Sequence, residues 1–194
     1  MTWWFKARRI PAVLVPCLVV SAVVAAAFDG VAVEFPSLLT GGSNDFQVVL
    51  LAPVPVASGL MLSLTSRLEE AEATALRPVL RYDAFLVLAT AAFATVVGCL
   101  TGQASGSDDA WSTGRNTLFL TGLMLLFHTA VPQGAVAVPV GWIAMVLLAG
   151  FDRFHHPYPW TVLPRPPADL PALAAALVTF AAGLAAYARH RPRL

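Results

Sequence analysis

The spacing of the charges constrains this chain most. They gather in short clusters, and the stretches between clusters are apolar and about as long as a bilayer is thick. A helix needs about 20 apolar residues to cross a hydrocarbon core of roughly 30 Å. Residues 10–28, 46–65, 83–100, 115–131, 135–151 and 170–188 meet or approach that length. These runs predict an all-α polytopic membrane protein, one domain over residues 1–194, with six transmembrane helices. Only 12% of the 194 residues are charged, about half the share usual in soluble domains. Six spans use most of the length and leave no room for a soluble catalytic domain.

Net charge is +1 and no basic patch is large, which excludes nucleic acid as a partner. Cys17 and Cys99 fall at different depths of different spans, too far apart for a disulfide, and read as small buried apolar residues. Lys6, Arg8 and Arg9 before an apolar run, with Ala25-Ala26-Ala27 behind it, imitate a signal peptide. The run over 10–28 is longer than a typical signal core and is read as a retained span.

Local sequence shapes the spans. Pro11 is tolerated in the first turn of span one, whereas Pro16 lies deeper and is expected to bend it. Pro53, Pro55 and Gly59 interrupt span two, so that span is expected to face protein, where neighbours satisfy the freed backbone groups. Small residues in LATAAFATVVG (residues 88–98) predict close helix contact by span three. Pro132-Gln133-Gly134 predicts a tight turn and an antiparallel pairing of spans four and five. Residues 29–45 read as a loop turning at Gly41-Gly42-Ser43-Asn44.

The most charged internal segment, SRLEEAEATALRPVLR (66–81), lies between spans two and three. Ser66 and Glu69 have the spacing of a capping box, Glu69, Glu70 and Glu72 favour the helix dipole, and Pro78 ends the helix. A helix over 66–78 follows. Lys6, Arg8, Arg9, Arg67, Arg77, Arg81, Arg189, Arg191 and Arg193 all fall on one side of a six-span map; Arg115, Arg153 and Arg165 fall on the other. Nine against three places both termini and the 66–78 helix in the cytoplasm.

This layout resembles the permease subunit of a type-2 ATP-binding-cassette exporter. The chain has six spans, both ends inside, and a basic aromatic lead-in, MTWWFKARR. TSRLEEAEATALRPVLR stands where that family has its coupling helix, VPQG where it has a tiny cytoplasmic turn, and FDRFHHPYPWTVLPRPPADLP (151–171) where it has a partly re-entrant external segment. GRNTLFLTGLMLL (114–126) is similar to a run in small permeases of high-GC bacteria. The resemblance implies that Arg67, Leu68, Glu69, Glu70, Glu72 and Arg77 dock on a separate ATP-binding subunit. It implies a second permease copy or paralogue, a bacterial plasma-membrane location, and an amphipathic or hydrophobic compound as cargo. No cofactor is expected on this chain, because it has one lysine, Lys6, and no phosphate-binding loop; ATP and Mg would sit on the partner. The alternatives are a non-transporting accessory or assembly protein, and a small membrane enzyme.

Candidate path or gate residues are His128, Trp142, His155, His156, Tyr158 and Trp160. His128 is ionisable near the inner end of span four. Trp142 is mid-span, a packing or substrate-facing residue. Asp152, His155 and His156 would share a helix face suited to a metal, but Pro157 and Pro159 break any helix there. That segment, external over 152–169, reads better as an aromatic gate or interface anchor. No metal site is expected. Arg115 and Asn116 are expected to cap span four and to pair with Asp108 or Asp109.

Overall fold

The computed structural model describes residues 8–36, 43–66, 79–106, 108–152, 154 and 156–189. Helix α1, Ile10–Ala27, opens with a π-helical turn over Ile10–Leu14 and continues as an α-helix from Val15. The wide turn lies just before Pro16, whose missing N–H leaves the preceding carbonyls without the usual α partner. The chain enters it through Arg9 in a left-handed conformation, φ 49°. Ile10, Leu14, Ser21 and Ala25 face inward, while Val15, Val19, Val20 and Val23 are exposed.

Residues 29–45 are more than a loop. Strands β1, Ala32–Pro36, and β2, Ser43–Gln47, pair antiparallel, with Val33 opposite Phe46 and Glu34 opposite Asp45. Phe35 packs edge-on against Phe46, their centroids 6.2 Å apart, and Phe46 is buried. That contact fixes the register although β1 is exposed throughout.

Helix α2, Val48–Thr65, starts as a 3-10 turn and becomes α-helical at Pro53, so the prolines interrupt little. In its most apolar stretch 61% of residues are buried, against 22% for α1, so α2 faces protein, as its prolines require. A Cβ on Gly59 would lie 2.6 Å from the Sγ of Cys17, which shows how closely α1 and α2 approach. Helix α3, Val79–Ser105, runs longer than the 83–100 expected and turns Phe85, Leu88, Phe93, Val96 and Leu100 outward.

Helix α4, Asp108–Ala130, begins two turns before Arg115. It occupies the centre of the bundle, against α2, α3 and α6 and the next helix, α5. Its buried surface carries Ser112, Thr113, Arg115, Asn116, Thr117 and Thr121 as well as Leu120, Met124 and Leu125. After the Pro132-Gln133-Gly134 turn, α5, Ala135–Ala149, is a 3-10 turn followed by a 12-residue α-helix. At about 1.5 Å per residue it falls short of a bilayer core. Helix α6, Leu170–Arg189, turns Ala172, Ala176, Phe180, Gly183 and Tyr187 inward. A Cβ on Gly122 of α4 would lie 2.5 Å from the Phe180 backbone, and one on Gly183 would overlap the Gly122 carbonyl. The two backbones cross at that pair, the kind of approach that stabilises helix pairs in lipid.

The described chain is mostly helical, and α1, α2, α3 and α6 are long and apolar enough to cross a membrane. Helix α4 is too polar along its buried length to join them, and α5 is too short. Successive helices alternate in direction, so the bundle has two ends. The β-hairpin marks one; Arg8, at the start of α1, marks the other.

Candidate functional site: polar nodes at the two ends of the bundle

At the Arg8 end an ion pair is buried. Arg8 Nη2 donates to Asp83 Oδ2 at 2.7 Å, and both side chains are 1% exposed. Arg8 Nη1 also donates to the Leu64 carbonyl at 3.0 Å, and the Ser63 hydroxyl donates to the Arg8 carbonyl at 2.6 Å. The Tyr187 hydroxyl approaches Asp83 Oδ2 at 3.4 Å, and the Tyr187 ring lies 6.0 Å from that of His128. One node thus joins the start of α1, the end of α2, the start of α3 and the ends of α4 and α6. Arg8 stands just before the apolar run 10–28 and Asp83 opens the run 83–100, and the structure buries both. Two apolar runs opening on opposite charges were the available signal.

At the hairpin end the chain after α5 does not stay outside the bundle. Phe151 bridges back to Pro157, and the Tyr158 N–H donates to the Gly150 carbonyl at 2.9 Å. The chain then turns inward, burying Thr161, Val162 and Leu163. This stretch is not helical, so its carbonyls need donors from elsewhere. Arg115 supplies them. Its guanidinium donates to the carbonyls of Pro166 and Arg165, each at 2.7 Å, and of Leu163 at 3.3 Å. Asn116 Nδ2 donates to the Leu163 carbonyl at 3.2 Å and to the Ser112 hydroxyl at 3.3 Å, while its Oδ1 accepts from Arg115. Arg115 and Asn116 therefore bond to this segment and to the neighbouring turn of α4; the side chains of Asp108 and Asp109, their expected partners, lie outside the described residues. Arg165 in turn pairs with Asp169, whose carboxylate also accepts from the Ala172 N–H at the start of α6. The Arg165 bond, reinforced by that N–H and opposed by partial burial, holds the Asp169 carboxyl below its usual range.

The other candidates separate into groups. Trp142 packs on Phe119 at 5.2 Å and edge-on against Trp160 at 6.0 Å, with its Nε1 buried and without an acceptor. Tyr158 lies in the turn that leads to this cluster. His128 belongs to the opposite end. Asp152 and His156 do not share a helix face: Asp152 Oδ1 accepts the backbone N–H groups of Phe154 and His156, each at 2.8 Å, in a tight turn. Those bonds, His156 first, lower the Asp152 carboxyl below its ordinary value. The His156 ring lies 3.7 Å from the other Asp152 oxygen and is open to solvent. Among the described residues no three potential ligands gather around a metal position. His155 lies outside the described residues, as do Arg67, Leu68, Glu69, Glu70, Glu72 and Arg77. Ser66 closes α2, its hydroxyl donating to the Ser63 carbonyl at 2.8 Å. Cys17 and Cys99 are free thiols.

What both nodes do chemically is hold backbone carbonyls and helix ends by charged side chains that the bundle buries. Comparison with protein-family models, with curated proteins and with solved structures gives no match.

Proposed function

We propose that the chain is the transmembrane subunit of an ABC-type exporter. In this reading all six helical segments cross or enter the bacterial plasma membrane, and both termini and residues 66–78 face the cytoplasm. A separate ATPase supplies the energy through those residues, and an amphipathic or hydrophobic compound is moved. One observation carries the reading. The acidic 67–78 segment leaves α2 and re-enters α3 at the end where Arg8, Leu64, Asp83 and Tyr187 tie four helices together. A push on that segment reaches the whole bundle end. Because α4 fills the centre of one copy, a path would run between two copies or paralogues, opened by rocking of the halves.

The test is purification of the tagged protein from its native membrane, alone and with Glu69, Glu70 and Glu72 changed to Lys. Co-purification of an ATPase with the wild type, lost with the variant, supports the exporter. A preparation without ATPase, under conditions that keep other membrane complexes whole, favours the second reading, a non-transporting accessory protein. The filled centre of the single bundle is what speaks for that second reading.

A further inference from the structure

The segment held by Arg115 differs from the rest of the bundle in how it is fixed. Within the helices the backbone groups pair mainly along the helix itself. Three carbonyls of residues 158–166, the buried one of Leu163 and the less buried ones of Arg165 and Pro166, take donors from two adjacent side chains of α4, Arg115 and Asn116. The apolar anchorage is small, chiefly Val162 and Leu163. On the approach to it Phe154, Pro159 and Trp160 are exposed. Pro157, Pro159, Pro164, Pro166 and Pro167 limit internal bending, so the segment moves as one piece or not at all. Water that enters at this end gains three things. It hydrates a guanidinium that is 6% exposed, it takes over the three carbonyls, and it offers an acceptor to the Trp142 indole N–H, which has none while Trp160 covers it. Each gain offsets part of the cost of undocking.

We propose that residues 158–166 form a plug at the hairpin end, seated by Arg115, that lifts as a unit and uncovers Trp142. Arg115 is a positioning residue: it touches the plug and sets how often it opens. The uncovered surface, Phe119 and Trp142 with one indole N–H, suits an apolar molecule that carries a hydrogen-bond acceptor. The plug can be tested without an ATPase or a cargo.

The probe is a single thiol in the full chain, purified in mild detergent with Cys17 and Cys99 changed to Ala. Val162→Cys places it on the plug; the same change at Val87, fully buried in α3, reports opening of the bundle as a whole. A water-soluble maleimide is the reagent. In the wild-type background Val162→Cys reacts slowly but measurably, and Val87→Cys more slowly still. Arg115→Ala speeds the reaction at position 162 by about tenfold or more, the effect expected when charged hydrogen bonds to a locally opening segment are lost, with no change at position 87. Arg115→Lys, one point charge in place of a planar fork, falls between. Unchanged protection at position 162, or equal acceleration at both positions, overturns the plug. If Arg115→Ala does not fold, Asn116→Ala decides: a smaller rise confined to position 162 supports the plug, and no rise overturns it.

Discussion

Arg8 and Asp83 show what one buried pair does in this fold. Taking both charges out of water is costly, and their 2.7 Å contact recovers that cost only while both are present. Arg8→Ala or Asp83→Ala alone is expected to destabilise the protein by about 3–5 kcal/mol, and Arg8→Met with Asp83→Leu by much less. Thermal unfolding in detergent, read as a double-mutant cycle with Arg8→Met and Asp83→Leu as the single variants, checks this; a loss in the double variant equal to the sum of the two single losses would mean that the pair is not coupled. Gly183 matters for a different reason, because a side chain there meets the Gly122 carbonyl. Gly183→Val is expected to cost about 1–3 kcal/mol or more by overpacking the α4–α6 crossing. A melting temperature equal to wild type would show that the two helices separate more easily than this geometry allows. Neither the Arg8–Asp83 pairing nor the role of Gly183 stood out in the sequence. A lone charge at the start of an apolar run looks like a surface residue until a partner chain segment is placed beside it, and a glycine in a helix does not say which neighbour it admits.

At the scale of elements, apolar length located the described helices; the expected burial of α2 held, the highest of the four candidate spans, whereas the expected interruption did not, because Pro53 and Pro55 fall in the first turn of its α-helical part. The β-hairpin was not legible. Its strands are five residues each, Glu34 faces Asp45, and β1 buries nothing, so neither hydrophobic alternation nor a favourable charge pair marked it. Helix α4 starts at Asp108 rather than at the expected 115 because polar Ser112 and Thr113 are buried, Thr113 beside Gly98 of α3 and Ser112 accepting from Asn116, which sequence periodicity does not report. The turn at Asp152 is testable by pH. Its carboxyl is lowered by the N–H groups of His156 and Phe154, so the charged form favours the folded turn. That contribution is present above the ordinary carboxylate range, near pH 4, and is lost as pH falls through the lowered folded value. Amide protection of Phe154 and His156, corrected for intrinsic exchange, should fall over that window in the wild type and show no such step in Asp152→Asn. An identical step in both would place the titrating group elsewhere.

For the whole molecule, a mostly helical chain with several helices long and apolar enough to cross a membrane was legible, because that depends on hydropathy and length alone. Two features were not. One is the inward course of the chain after α5, which depends on donors, Arg115 and Asn116, some fifty residues earlier in the chain. The other is the node that gathers five helices where α2 ends and α3 begins. In the proposed function the drive enters at that end, through residues 66–78, which makes one contact decisive. A photo-crosslinking amino acid in place of Glu70, activated in native membranes, captures whatever lies against that segment. The expected product is a chain that binds and hydrolyses ATP, captured less efficiently once Glu69 and Glu72 are changed to Lys. Adducts to lipid alone, in cells where the protein is active, would contradict an ATP-driven subunit.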